Sequence, residues 1–226
     1  MAAGWSSENA TKAYLRALKM GKRGKEPDSA EFISALAAGN NAQLLVMVSS
    51  PRAVKGDAAM VVALVAAAHQ TGGRVVLVSP AGLDESRASR DLLGPHARCV
   101  EFMVGEPRTF LLNELRGADF VLLDCNSEDP RRVFEAAQEG AGGGIIMGYN
   151  ALHKGTLWSG LRAHFLPIGE GLMVTRIVKD ANTGGKISHG SSGCRKKSRW
   201  VVTVDDCTGE EHVFRIVSPR RKEIEA

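Results

Sequence analysis

The chain has 226 residues, 44% of them hydrophobic and 24% charged, with 29 Lys and Arg against 25 Asp and Glu. That is enough for one large α/β domain or two small ones, and too ordinary for wholesale disorder, a coiled coil or a fibrous repeat. The longest apolar-biased stretch, residues 58–68, is too short to cross a bilayer, and the polar start does not read as a secretory leader, so no membrane span and no export are expected.

Four cysteines (Cys99, Cys125, Cys194, Cys207) without a leader read as reduced thiols, which points to the cytoplasm or the nucleus. The charge is concentrated at the ends: residues 1–25 carry +5 and residues 186–199 hold five bases and no acid, whereas 26–179 sum to −3. The basic ends therefore say little about what a central pocket would bind.

In chain order, residues 6–20 begin with Ser6 and place Ala10, Tyr14, Leu15 and Leu18 at helical spacing before Gly21, which predicts an amphipathic helix. A solvated linker follows. A second helix is expected from Asp28, with Glu31 completing a capping box, through Phe32, Ile33 and Leu36 to Gly39. From Gln43 onward, five short apolar runs (44–48, 74–79, 99–104, 119–124 and 144–149) alternate with helix-length stretches at 57–70, 84–93, 108–115 and 130–138. Continuous apolar runs of that length are strands buried on both faces, and the alternation predicts a doubly wound parallel sheet.

After Tyr149, residues 162–179 hold two apolar runs broken by Pro167, Gly169 and Gly171, too close together for a crossover helix. They pair antiparallel and bring the sheet to seven strands in a three-layer α/β domain, the arrangement of class I methyltransferases. Beyond a Gly/Ser-rich basic link, residues 200–217 read as a β-ribbon turning at Thr208 and Gly209. In it Trp200, Val202 and Val204 alternate on one face, and Phe214 and Ile216 supply a second apolar row. Such a ribbon is marginal alone, so it is expected to dock on the main body or on a second subunit, as in a homodimer. The organisation expected is an N-terminal helix and linker (1–27), a methyltransferase-like domain (28–179), and a link with its ribbon (180–226).

VEFMVGEPRTFLLNEL (100–115), FVLLDCNSED (120–129), GGGIIMGYNAL (142–152) and LPIGEGLMVTR (166–176) follow one another at the spacing of the caffeoyl-coenzyme A O-methyltransferase branch of that fold, which the chain resembles from about Ala30 to Lys179. With WSSENATKAYLRALK (5–19) and the tail from Lys196 to Ile216, the whole chain resembles a plant family of unknown function, number 1442 among such domains.

The resemblance implies S-adenosylmethionine at the carboxyl ends of the first strands, held by a turn rich in glycine and by an acid after strand two. The corresponding residues are Ser49, Ser50 and Gly56 in SSPRAVKGD (49–57), and Ser79, with Pro80 after it. A serine makes one hydrogen bond where a carboxylate makes a charge-assisted pair. Residues 49–57 read equally well as a surface turn.

Asp124 falls on the family's catalytic, metal-ligating aspartate. The family's other acids are matched by Asn126 and Asn150, and its lysine by Ser127. One carboxylate with two amides makes a poor cage for a hard divalent cation, so no metal is expected, and Asp124 reads equally as a strand-end cap. Gly105 and Glu106 match the adenine side of the cofactor site, although a glutamate before Pro107 also suits a helix start. Asn150, His153, Lys154 and Trp158 lie where the family recognises substrate, or are ordinary loop residues.

His189, Cys194, Cys207 and His212 are too far apart along the ribbon to close a zinc site. The basic run from Arg195 to Arg199 reads as a solvated face rather than a contact for nucleic acid or anionic lipid. Two functions stand side by side. One is a divergent S-adenosylmethionine-binding protein, an O-methyltransferase for a small hydroxylated molecule. The other is a non-catalytic module, a pseudoenzyme, that kept the scaffold and uses Arg52 and Lys55 for another anionic ligand or a protein partner.

Overall fold

The computed structural model describes residues 5–20, 29–50, 54–80, 83–152, 154, 157–158, 161, 163–177, 198–204 and 211–217; for 54–57, 83–85 and the last two segments it describes the backbone only. The chain divides into two compact units, Met1–Lys179 and Asp180–Ala226.

In the first unit, α1 (Ser7–Met20) opens where Ser6 Oγ accepts from the Asn9 N–H at 3.2 Å, and it buries Ala10, Ala13 and Ala17. Those small side chains let it lie closely on α2 (Ser29–Gly39) and α3 (Val54–Thr71). Trp5 rests on Gly39, where any side chain would collide with its ring.

The strands are β1 (Leu44–Val48), β2 (Arg74–Ser79), β3 (Val100–Val104), β4 (Phe120–Asp124), β5 (Gly144–Tyr149), β6 (His164–Leu166) and β7 (Leu172–Ile177). They form one sheet in the order β3-β2-β1-β4-β5-β7-β6. The first five are parallel, β7 is antiparallel to β5, and β6 pairs only with β7. The seven-stranded sheet expected from the sequence is present.

Alternate strand residues point to opposite faces. Leu45, Met47, Val75, Leu77, Phe120 and Leu122 pack with Ile33, Leu64 and Ala67 of α2 and α3. Val46, Val48, Val76, Val78, Val121 and Leu123 pack with Leu111 of α5 (Pro107–Leu112) and Phe134 of α6 (Pro130–Gly140). Helices on both faces explain why the strand runs contain so few polar residues.

Some boundaries differ from the expectation, each for a local reason. Residues 94–99 form a 3-10 turn opened by Pro95, so β3 starts after Cys99. Helix α5 stops at Leu112 because 113–117 turn back through Gly117 at φ 89°. Asp119 stays outside β4 because its Oδ2 accepts the backbone N–H groups of Gln43 at 2.8 Å and Leu44 at 3.0 Å, clamping the foot of β1. Helix α4 (Leu83–Leu93) completes the α3 side.

The second unit contains β8 (Ser198–Val204) and β9 (Glu211–Val217), paired antiparallel from Ser198↔Val217 to Val204↔Glu211. Val202 stands opposite Val213, and Val201 opposite Phe214. The expected turn of this ribbon at Thr208 and Gly209, the basic link, and Cys194, Cys207 and His189 lie outside the described residues.

Candidate functional site

In a doubly wound sheet, ligands bind beyond the carboxyl ends of the strands, where the order reverses. Here that point lies between β1, which leads on to β2 and β3, and β4, which leads on to β5. Tyr149 at the end of β5 pairs with Leu172 at the start of β7, so the 167–171 turn rises on the same crest. So does the start of α2, whose Ser29 Oγ donates to the Ile168 carbonyl at 3.4 Å.

Polar burial concentrates on this crest. Nine polar or charged residues are buried among the described ones, and seven of them (Ser29, Glu31, Ser49, Ser50, Ser79, Ser86 and Asp124) belong to strand ends or helix starts there. Buried polar groups are costly unless they are paired, so a fold concentrates them where a polar partner is needed.

Ser49 is tied to β2, both its N–H (2.9 Å) and its Oγ (3.2 Å) donating to the Val78 carbonyl. The Ser79 carbonyl accepts the Gly105 N–H at 3.0 Å. Gly105 has φ 145°, and a Cβ there would come within 3.1 Å of the Phe110 ring. Ser49, Ser79 and Gly105 thus form a connected ledge across β1, β2 and β3, with Ser50 buried next to Ser49. Glu106 stands apart from it: exposed, its Oε2 accepts the Arg108 N–H at 3.0 Å and caps α5. Gly56 lies in the first turn of α3, while Arg52 and His153 are outside the described residues.

Asp124, Asn126 and Asn150 come together at the ends of β4 and β5. Asp124 is 1% exposed, and its Oδ1 accepts both the Asn126 N–H at 2.9 Å and the Asn150 side-chain amide at 2.8 Å. Its Oδ2 is buried with no hydrogen-bond partner among the described residues. Asn150 reaches this position with φ 56°, a left-handed backbone that asparagine tolerates better than most residues. Asp124 therefore caps its own loop, where the sequence allowed for a neighbouring helix, and the α6 cap is Asp129.

Beneath the loop lies Cys125, whose thiol is pushed up to about 12, mainly by burial, then by the Asp124 charge, with the Lys154 charge opposing. Trp158 is buried against Phe134, edge to face with centroids 5.4 Å apart, so its ring is part of the α6-side core.

The donor set does not suit a divalent metal. Asn150 turns its amide NH2 toward Asp124, and an N–H donor cannot ligate a cation. Asn126 contributes its backbone, and no group of three His, Cys, Asp or Glu that could hold a metal occurs among the described residues. A groove of about 450 Å³ lined by His69, Arg74, Arg98 and Cys99 lies at the opposite end of the strands.

Glu31 is the buried crest carboxylate that the sequence did not single out. Its place three residues after Asp28 was fully accounted for by helix capping, so no signal marked it.

No curated protein matches the chain. Among solved structures, a protein described as a caffeoyl-CoA O-methyltransferase from Staphylococcus aureus is 13% identical over 76% of this chain and 93% of its own, with a TM-score of 0.54. The cofactor-bound Rv0187 from MTB is 18% identical over 75% and 90%, with a TM-score of 0.51. A methyltransferase from Geobacter sulfurreducens is 20% identical over 77% and 91%, with a TM-score of 0.49. At such identity the likeness is one of fold, and the first unit has the methyltransferase fold. A family described as a protein of unknown function, DUF1442, matches residues 1–216.

Proposed function

The chain belongs to the DUF1442 family, and from that premise we propose that it is a divergent S-adenosylmethionine-binding, methyltransferase-like protein acting on a small hydroxylated molecule. The observation that carries this reading is the buried polar crest at the strand-order reversal, the place where this fold takes its ligand. When bound, the cofactor supplies an electrophilic methyl group. Ser49 and Ser50 would lie along its amino-acid part, Ser79 would meet a ribose hydroxyl through Oγ, and the Gly105 backbone would lie on the side of the base. The 13% identity of its caffeoyl-CoA O-methyltransferase relative does not carry that protein's substrate over to this chain.

Serine in place of the acid on β2 favours a second reading, the non-catalytic module that binds another anionic ligand or a protein. Plant origin, the cytoplasm and a homodimer belong to the proposal as well, on the family resemblance, the reduced thiols and the apolar ribbon. Calorimetric titration with S-adenosylmethionine and its demethylated product decides between the two functions. Weak, saturable binding of both supports the first, and saturable binding of neither overturns it.

A further inference from the structure

The groove at the foot of the sheet has a floor and a rim of different chemistry. Its floor is made by Val65 and Ala68 of α3 with Val75 and Val100, which stand side by side where β2 and β3 begin. Val65, Val75 and Val100 belong to the core on the α3 side and Ala68 packs against it, so the floor is apolar. About 450 Å³ is room for a small organic molecule.

Two glycines keep the groove bare between α3 and β2. Gly72 follows the end of α3 with φ 72°, and a Cβ there would meet nothing within 4 Å. Gly73 has no space for one, since it would lie 2.7 Å from the Ala42 carbonyl oxygen. Residues 72 and 73 therefore put no side chain between His69 and Arg74.

The rim is basic, and its charges are unequally used. Arg74 is paired with Glu101, Nη1 to Oε2 at 2.9 Å. Arg98 and His69 have no hydrogen bond or ion pair among the described residues. The 3-10 turn that Pro95 opens is closed by the Val100 N–H donating to the Ala97 carbonyl, which fixes the backbone of Arg98 beside the groove. A cationic ligand would meet Arg98 with no acid on the rim to answer it, because Glu101 is already held by Arg74.

An unanswered cation over an apolar floor is complementary to a molecule with an apolar body and one negative end. The end of α3 sets the orientation, because the last carbonyls of a helix carry partial negative charge. Those of Ala68 and Thr71 are taken by the Gly72 N–H at 2.8 Å and the Gln43 side-chain amide at 3.0 Å, and the others repel an anion. The negative end therefore belongs at Arg98 and the apolar body under α3.

We infer that this groove is a ligand site of its own, taking a small organic carboxylate with an apolar body, and that Arg98 binds the carboxylate. The inference goes beyond the proposed function and does not rest on it: the crest lies beyond the carboxyl ends of the strands, and this groove lies at the amino ends of β2 and β3. Cys99, exposed on the same rim, reports whether the site is filled.

The test is ligand-observed NMR on the full chain with benzoate, its uncharged amide benzamide, acetate and inorganic phosphate, alongside iodoacetamide labelling of Cys99 read by mass spectrometry. Benzoate should bind saturably at millimolar concentration, about three- to tenfold more tightly than benzamide, as for a charge contact that solvent partly screens. It should also slow the labelling of Cys99, whereas acetate, which lacks the apolar body, should do neither at the same concentration. Arg98→Gln should bring benzoate and benzamide to equal affinity without moving the melting temperature, since Arg98 stands exposed, and Arg98→Lys should keep the preference.

Equal binding of benzoate and benzamide by the wild type, no saturable benzoate binding, or a benzoate affinity unchanged in Arg98→Gln overturns the inference. Benzoate that binds without protecting Cys99 overturns it too, by placing the ligand elsewhere. Acetate or inorganic phosphate that protects Cys99 as well as benzoate does would reduce the groove to a general anion patch and overturn the choice of ligand.

Discussion

Replacing Ser79 with Asp tests the cofactor pose most directly, because its two consequences have opposite signs. Ser79 ends β2 at 6% exposure, between Ser49 just after β1 and Gly105 just after β3. In the free protein a carboxylate at that depth loses hydration without a designed donor, at a cost of about 1 to 3 kcal/mol. For a unit of this size each kcal/mol lowers the melting temperature by roughly 2–4 °C. In the complex, the new carboxylate can accept from ribose hydroxyls, a charge-assisted interaction worth about 1.5 to 3 kcal/mol, or roughly ten- to a hundredfold in affinity. Ser79→Asp should therefore melt earlier alone, recover with saturating S-adenosylmethionine, and titrate more tightly than the wild type in a calorimeter. An unchanged or weaker dissociation constant would refute the pose, and an unchanged melting temperature would refute the burial argument.

Millimolar magnesium should leave the wild-type melting temperature unchanged, since a ligand stabilises a fold only through its occupancy; a rise that disappears in Asp124→Ala would revive metal-assisted chemistry. Asn150→Asp should create the repulsion that the amide prevents, lowering the melting temperature in chelator, with magnesium restoring part of the loss. The Cys125 thiol, pushed up to about 12 from its ordinary value, keeps its proton in the folded state longer than in the unfolded one. Its contribution is thus fully present below about pH 9 and is lost as pH rises toward 12, by about 1.4 kcal/mol per pH unit, a slope that Cys125→Ala should remove in alkaline melting curves. By mass-spectrometric mapping, the exposed Cys99 should be alkylated well before buried Cys125. Phe134→Ala, which empties a fully buried ring site beneath Trp158, should cost about 3 to 5 kcal/mol in denaturant melts; less than 1 kcal/mol would show that the α6 side is loosely packed.

The sheet was legible because burial on both faces leaves an unmistakable mark: runs such as 44–48 and 144–149 contain no charged side chain to contradict a central strand. Helix ends were less so, since α5 stops where residues 113–117 fold back, and that depends on tertiary space that no propensity encodes. At the site, the family pattern brought Asp124, Asn126 and Asn150 to attention, yet their relation was invisible. A ligand set and a self-capped loop use the same residue types, and only the direction of the Asn150 amide distinguishes them. The resemblance put Trp158 over the mouth of the site, and the structure buries its ring against Phe134 in the α6-side core, a packing role that the sequence pattern does not distinguish.

The Asp119 clamp at the foot of β1 has a consequence for the order in which the chain is built. While the protein emerges from the ribosome, β1, β2 and β3 can assemble from residues 44–104, but the inner edge of β1 must wait for β4, and its first two amides for a carboxylate about 75 residues downstream. Until then a fully apolar strand presents an open edge, the feature most prone to pairing with a stranger. The nascent chain is therefore most vulnerable between the synthesis of Val48 and that of Asp124. An Asp119→Ala chain would leave the Gln43 and Leu44 amides without their acceptor even after β4 has paired, without altering a single residue of the crest.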